Sequence, residues 1–171
     1  MRILQERSGL LVGLDRSAIA LNLAKNRNSA AGIYYLSGAA EALPFSSNSF
    51  DHVIVFGVIE HVRDYQTFIS EIHRVMKLGA TAFVSSSNAN SFLQAKNYVL
   101  ARTGRYRYGF QQNWTMSDLK SILQRRFRIE KSFILQGGAD MPVTTNLDRI
   151  IARFVPSWGR YICFVVSKQD T

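Results

Sequence analysis

Apolar and polar positions alternate between two rhythms along the chain. Residues 10–14 (LLVGL) form a short apolar run that ends on an acid, Asp15, and reads as a strand. Ser17 then suits an N-cap, and residues 18–28 carry Ile19 and Leu23 at helical spacing. Residues 2–7 read as the tail of an earlier helix, with Gly9 as its C′ residue. Residues 33–36 are the next strand. Residues 38–49 form a loop that turns at Leu43-Pro44. Residues 50–56 (FDHVIVF) predict a buried strand. Residues 65–77 predict an amphipathic helix with Phe68, Ile72, Val75 and Met76 on one side, closed by Gly79, and residues 80–85 a further strand.

Beyond this, Ser117 is the expected cap of a helix over residues 118–126. Residues 129–135 and 161–166 are the last two strands. Between them lie a loop with Gly137, Gly138 and Pro142 and a short amphipathic helix around residues 146–154. Strand–helix alternation of this kind predicts an α/β fold. Its sheet is mainly parallel, with helices on both faces and an antiparallel edge from the final strands. The chain reads as one domain over residues 1–171. Residues 88–114 break the alternation just after the carboxyl end of a strand, where open α/β sheets bind ligands, and are expected to form a lid or substrate-side insertion.

Composition narrows the picture. With 47% hydrophobic residues in 171, the chain has enough apolar side chains for a core, which excludes global disorder. No apolar run approaches the roughly 18 residues that span a bilayer, and residues 1–9 are too polar for a signal peptide, so the expected location is cytoplasmic. Cys163 is the only cysteine and sits in the apolar run YICFVV, as a core residue would. The net charge is +9 and the pI about 10.1. Residues 96–131 hold nine basic residues and two acids, so one segment carries most of the excess. Such a face suits anionic lipid, nucleic acid or an acidic substrate, or is simply solvated.

The candidate chemistry is sparse. An acid at the end of a first strand, such as Asp15, accepts hydrogen bonds from ribose hydroxyls in nucleotide-binding folds. A glycine loop is expected about twenty residues before such an acid, and none precedes Asp15. His61 follows a strand and is a candidate general base, with a structural histidine bonded to backbone as the alternative. His52 and His73 read as structural. Asp51 reads as a brace for a loop. Asn88 and Asn90 could line a pocket or serve a turn. Three scattered histidines and one cysteine give no metal-ligand spacing.

Taken in order, Asp15, SGAAEALPF (37–45), SFDHVIVFGVIEHV (49–62) and RVMKLGATAFVSS (74–86) resemble the class I S-adenosylmethionine-dependent methyltransferase family, in its quinone and cell-envelope branch. The resemblance is strongest over residues 1–87 and weaker over 113–168. It implies a Rossmann-like fold with S-adenosylmethionine as cofactor. Asp15, with Arg16, would hold the ribose. Gly38, Ala39, Ala40 and Glu41 would lie against adenine, and Phe56, Gly57 and Val58 would take the methionine end and the reacting methyl. The family commonly has an acid at the second position of the adenine loop, where this chain has Ala39.

The resemblance also implies a first strand and glycine loop ahead of the helix that ends near Gly9, so the expectation is a fold with its first strand missing. The strands of Leu10 and Val53 would each lose a neighbour. They would pair with each other, accept another chain, or leave a marginal fragment with low cofactor affinity. The leading explanation is that Met1 is an internal methionine of a longer enzyme. A degenerate binding module and a substituted glycine loop are the others.

Three functions compete. The first is methyl transfer to a small-molecule, lipid-like or saccharide-like acceptor. Tyr98, Tyr106, Tyr108 and Phe110 interleave with Arg102, Arg105 and Arg107 in a lid that would hold an anionic head group or rest on an anionic membrane surface. The second is a non-catalytic module that binds a partner chain, or a second copy, through an open sheet. The third and weakest is nucleic-acid binding through the basic-aromatic segment 96–131.

Overall fold

Polar caps decide where the helices begin, and β-branched and aromatic runs make the strands. A computed structural model of the chain describes residues 9–28, 30–91, 94–95, 97, 99, 102, 110–136 and 155–169. The chain divides into two compact units, Met1–Pro44 and Phe45–Thr171.

In the first unit, β1 (Leu11–Asp15) pairs in parallel with β2 (Ile33–Ser37), with Leu11 opposite Ile33 and Asp15 opposite Ser37. A parallel pair needs a crossover, and α1 (Ala18–Arg27) supplies it. Ser17 caps α1 as expected, its Oγ accepting from the Ala20 amide at 3.2 Å. The apolar stripe expected on this helix is not covered. Ile19 is 82% exposed and Leu23 50%, and α1 has no buried residue. A two-stranded sheet is too narrow to cover a ten-residue helix.

In the second unit the strand order is β3 (Phe50–Phe56), β4 (Met76–Ser87), β6 (Tyr161–Lys168), β5 (Phe127–Leu135). β3 and β4 are parallel, and β6 runs antiparallel to both of its neighbours. The antiparallel strand is therefore inside this sheet, and β5 is at its edge. By register, Val53, Val55, Ala82, Val84, Ile162, Phe164 and Val166 share one face. Against it lie α2 (Tyr65–Val75), which buries Phe68, Ile69, Ile72 and Val75, and α3 (Met116–Leu123), which buries Leu119 and Leu123. Each such side chain contributes roughly 1.5–3 kcal/mol on burial. The other face carries rings: Phe56 stacks near Phe83 with centroids 6.3 Å apart and tilts against Tyr161 at 5.4 Å.

Several sequence expectations need correction here. FDHVIVF is not a buried strand, because β3 lies at the edge of this sheet and, among the described residues, β4 alone bonds to it. Ile54 is 56% exposed and Phe56 53%, while Val55 alone is buried. The helix expected to run to residue 77 stops at Val75, and Met76 opens β4 opposite Phe50. The next pair is His52 with Thr81, so residues 77–80 bulge out, with Gly79 at φ +73°. Gly79 therefore serves a bulge and not a helix end. Thr115, not Ser117, caps α3. Its Oγ1 accepts from the Asp118 amide at 3.2 Å, and the Asp118 carboxylate accepts from the Thr115 amide at 3.0 Å. That reciprocal box needs an acid three residues after the cap, which Ser117 lacks. The Thr115 hydroxyl, which donates to the same carboxylate at 2.6 Å, and then the Thr115 amide hold the Asp118 carboxyl below its usual range.

Other expectations fit. Asp51 braces the bulge, accepting from Lys77 Nζ at 2.8 and 2.9 Å, and this bond lowers its pKa. Cys163 is fully buried in β6, and burial pushes its thiol up to about 11. No helix among the described residues is long and apolar enough to cross a membrane. Residues 2–7, Gly137, Gly138, Pro142 and the helix expected around 146–154 lie outside the described residues.

Candidate functional site

The candidate residues fall into one group in each unit. In the first unit they gather at the carboxyl ends of β1 and β2. Asp15 ends β1, and its Oδ1 accepts from the Ser17 amide at 2.8 Å. That bond orients the exposed carboxylate, and Oδ2 has no hydrogen-bond partner among the described residues. The Gly38 amide donates to the Asp15 carbonyl at 3.2 Å, which brings the loop after β2 beside the acid. Ala39, Ala40, Glu41 and Ala42 make a tight turn, with the Ala42 amide donating to the Ala39 carbonyl at 3.3 Å. Glu41 Oε2 faces Arg16 Nη2 at 3.7 Å. Asp15, Arg16, Gly38, Ala39, Ala40 and Glu41 thus form one cluster. Gly38 owes its small size to internal packing, since a Cβ there would come within 2.9 Å of Leu14 Cδ1.

In the second unit, Phe56, Gly57, Val58 and His61 belong to one turn after β3. Gly57 has φ +63°, and its amide donates to the Ser85 carbonyl and to Ser85 Oγ, both at 3.2 Å. A Cβ would meet nothing closer than Glu60 Oε1 at 3.8 Å, so glycine is needed here for its backbone and not for space. Gly57→Ala is expected to cost about 1–2 kcal/mol, the usual cost of a left-handed L-residue. A urea unfolding midpoint measures it, and an unchanged midpoint contradicts the strain argument.

His61 opens onto solvent, and its Nδ1 lies 3.1 Å from the Phe110 carbonyl. A carbonyl only accepts, so Nδ1 carries the proton and Nε2 is the acceptor of the neutral ring. The backbone bond of the structural alternative is present, and it leaves a base position open. His52 Nδ1 lies 2.8 Å from Thr81 Oγ1, across the β3–β4 pair. Asn88 is no pocket residue: it is buried, and its Nδ2 donates to the Ser157 and Gly159 carbonyls.

Sequence reasoning passes over the residues that hold this turn. Glu60 is 2% exposed, and its Oε1 accepts from the Ser87 amide at 3.1 Å and Ser87 Oγ at 3.0 Å. Gln112 donates its amide to the Glu60 carbonyl at 2.7 Å and its Nε2 to the carbonyls of Val62 and Arg63. The Arg63 guanidinium sits 4.5 Å over the Phe110 ring. One end of the 88–114 segment is therefore tied to the turn that carries His61. A signal exists in the sequence: three serines in a row at the end of a buried strand must find partners, and Ser85 and Ser87 find Gly57 and Glu60. Lys96, Tyr98, Arg105, Tyr106, Arg107 and Tyr108 of the expected lid lie outside the described residues. Among the described residues no three His, Cys, Asp or Glu side chains come together as a metal site.

A family model described as a methyltransferase domain matches residues 1–84, the span that holds both clusters. The matched span is that of the class I S-adenosylmethionine-dependent methyltransferases, which the chain resembles. Among similar curated proteins, the demethylmenaquinone methyltransferase of Oceanobacillus iheyensis is 27% identical over 139 residues, covering 80% of this chain and 54% of that one. The chloroplastic 2-methyl-6-phytyl-1,4-hydroquinone methyltransferase 2 of rice (Oryza sativa subsp. japonica) is 38% identical over 69 residues, 40% of this chain and 20% of that one. The chain thus spans about half of the first relative and a fifth of the second. Among solved structures, the methyltransferase in a Haloferax volcanii complex with the Trm112 methyltransferase activator superposes with a TM-score of 0.77 at 17% identity, covering 99% of this chain and 77% of that one. The fold of this chain is accordingly Rossmann-like, and the cofactor that the resemblance implies is S-adenosylmethionine.

Proposed function

We propose that this chain transfers a methyl group from S-adenosylmethionine to a small acceptor with a quinol-type ring. The observation that carries the reading is the turn after β3, where Gly57 is left-handed, Phe56 and Val58 are exposed, and His61 keeps Nε2 available. The residues of the first cluster fit the adenosine part of the cofactor. Asp15 offers a free carboxylate oxygen to the ribose hydroxyls, and the backbone of residues 38–41 offers amides and carbonyls to adenine. The cofactor supplies a sulfonium-bound methyl for direct displacement, so the protein's task is alignment and shielding. Phe56, beside Phe83 and Tyr161, gives an apolar aromatic surface to a ring. His61 Nε2 would accept the proton of the hydroxyl or ring carbon that is alkylated. The relatives named for demethylmenaquinone and a phytyl hydroquinone point to the same acceptor class.

The test is calorimetric titration of the chain with S-adenosylmethionine, followed by transfer of labelled methyl to a short-chain demethylnaphthoquinol. Saturable binding and labelled product are expected. Binding without product removes the acceptor class. No binding at millimolar cofactor by a folded chain removes the enzymatic reading. Stability that rises with chain concentration and ignores cofactor would favour a module that binds a partner through the open edge of β3, whose Ile54 and Phe56 are exposed.

A further inference from the structure

A groove of about 650 Å3 lies between α2 and the turn that follows α3. Its volume falls in the range of small-molecule sites. Gln66, Thr67, Ser70 and His73 of α2 line it, with Arg125 and Arg126 from the turn after α3. Ile69 and Ile122 add apolar surface. None of these residues belongs to the methyl-transfer turn.

The charge in this groove is unbalanced. Arg125 and Arg126 are adjacent and exposed, and neither pairs with an acid among the described residues. Burial, helped by the charges of Lys168 and Arg126, holds the pKa of His73 below the ordinary value. Lys168 Nζ donates to Asn48 Oδ1 and the Met76 carbonyl, both neutral, so its charge is not cancelled. The acids of this region are engaged elsewhere: Asp64 accepts from Thr67 at the start of α2, and Glu71 pairs with Arg74. His73 Nε2 is buried and has no hydrogen-bond partner among the described residues. Two exposed guanidiniums with no acid partner among the described residues, beside His73 in one groove, make a site that lacks its anion.

We infer that this groove is a second binding site, for the phosphate group of a small phosphorylated ligand. Two adjacent guanidiniums offer more donors than a carboxylate can accept, and a phosphate has the oxygens to use them. Ile69 and Ile122 suit an apolar portion attached to that phosphate. A free phosphometabolite and a phospholipid head group present the same chemistry.

The experiment titrates the full chain with pyrophosphate at constant ionic strength and follows the ring signals of His73 by NMR. One saturable pyrophosphate per chain and a shift of the His73 signals are expected. The double variant R125Q/R126Q should bind about tenfold more weakly or worse. The charge-matched variant R128Q/K131Q, on β5 and outside the groove, should bind like the parent. The four side chains are exposed, and the His73 signals of the parent chain test the site without any substitution. A second arm adds phosphatidic acid vesicles. If they compete with pyrophosphate, the ligand is a head group, and if they do not, it is a free phosphate ester. Absence of saturable binding, an unmoved His73, or equal weakening in both variants overturns the site and leaves only diffuse attraction to a basic surface. None of these readouts uses S-adenosylmethionine, so failure here is separate from failure of the methyl-transfer reading.

Discussion

Replacing Asn88 with alanine is expected to destabilise the second unit by about 3 kcal/mol, as the sum of lost hydrogen bonds and stranded buried groups. Asn88 is buried at the point where β4 gives way to the 88–114 segment. Its Nδ2 donates to the Ser157 carbonyl at 2.8 Å and the Gly159 carbonyl at 2.7 Å, and its Oδ1 accepts from the Asn90 amide at 3.1 Å. Three backbone groups thus depend on one side chain, two of them in the segment that leads into β6. Alanine supplies no partner, and the buried Gly159 carbonyl cannot turn to water. Aspartate should be no better. It keeps the acceptor for Asn90 but faces two carbonyl oxygens with a carboxylate, where repulsion replaces two bonds. Urea unfolding with an unchanged slope measures the loss. A loss under about 1 kcal/mol for the alanine variant would mean that water replaces the amide, and the anchoring role would fall.

Legibility of the sequence follows the range of the interactions. Ser17 and its helix are readable because a cap acts within three residues. Asp15 is readable because a strand-terminal acid followed by a cap is a local pattern. The start of α3 is also local, but there two hydroxyl residues compete for the cap, and only the acid that completes the box favours Thr115 over Ser117. β3 misleads for a different reason. Its apolar run predicts burial on both sides, yet burial depends on which strands lie beside it, and no periodicity carries that information. Gly79 shows the same limit, since one glycine can end a helix or form a bulge and the choice depends on how Met76 pairs with Phe50. The site divides along the same line. The GVIEHV turn is visible as a motif. Its supports are not, because Ser87 and Gln112 reach Glu60 over 27 and 52 residues of chain.

Those supports give the proposed reaction turn a definite construction. Gly57 is fixed to Ser85, Glu60 to Ser87 and Gln112, and His61 to Phe110, so β4 and the end of the 88–114 segment hold it from two sides. A turn held in this way has little freedom to rearrange when ligands enter. Alignment by a rigid frame is what direct displacement requires of a protein that contributes no covalent step.

Asp15→Ala is expected to weaken S-adenosylmethionine binding about a hundredfold, the worth of two hydrogen bonds to a charged acceptor. Asp15 Oδ1 is held by the Ser17 amide at 2.8 Å, which fixes the orientation of the exposed carboxylate. On the proposed role, the two ribose hydroxyls donate to this carboxylate together, and charge-assisted bonds of that kind are roughly twice as strong as neutral ones. Asp15→Asn keeps the shape and one acceptor but loses the charge, so about a tenfold loss is expected. Neither change should disturb the fold much. Asp15 is exposed, and the Ser17 cap that starts α1 has its own bond to Ala20. A melting curve therefore separates the two effects: affinity falls while the midpoint stays nearly constant. Equal affinity in parent and Asp15→Ala chains would remove the ribose assignment while leaving the fold as it stands. A graded loss, larger for alanine than for asparagine, would place the adenosine half of the cofactor at the carboxyl end of β1.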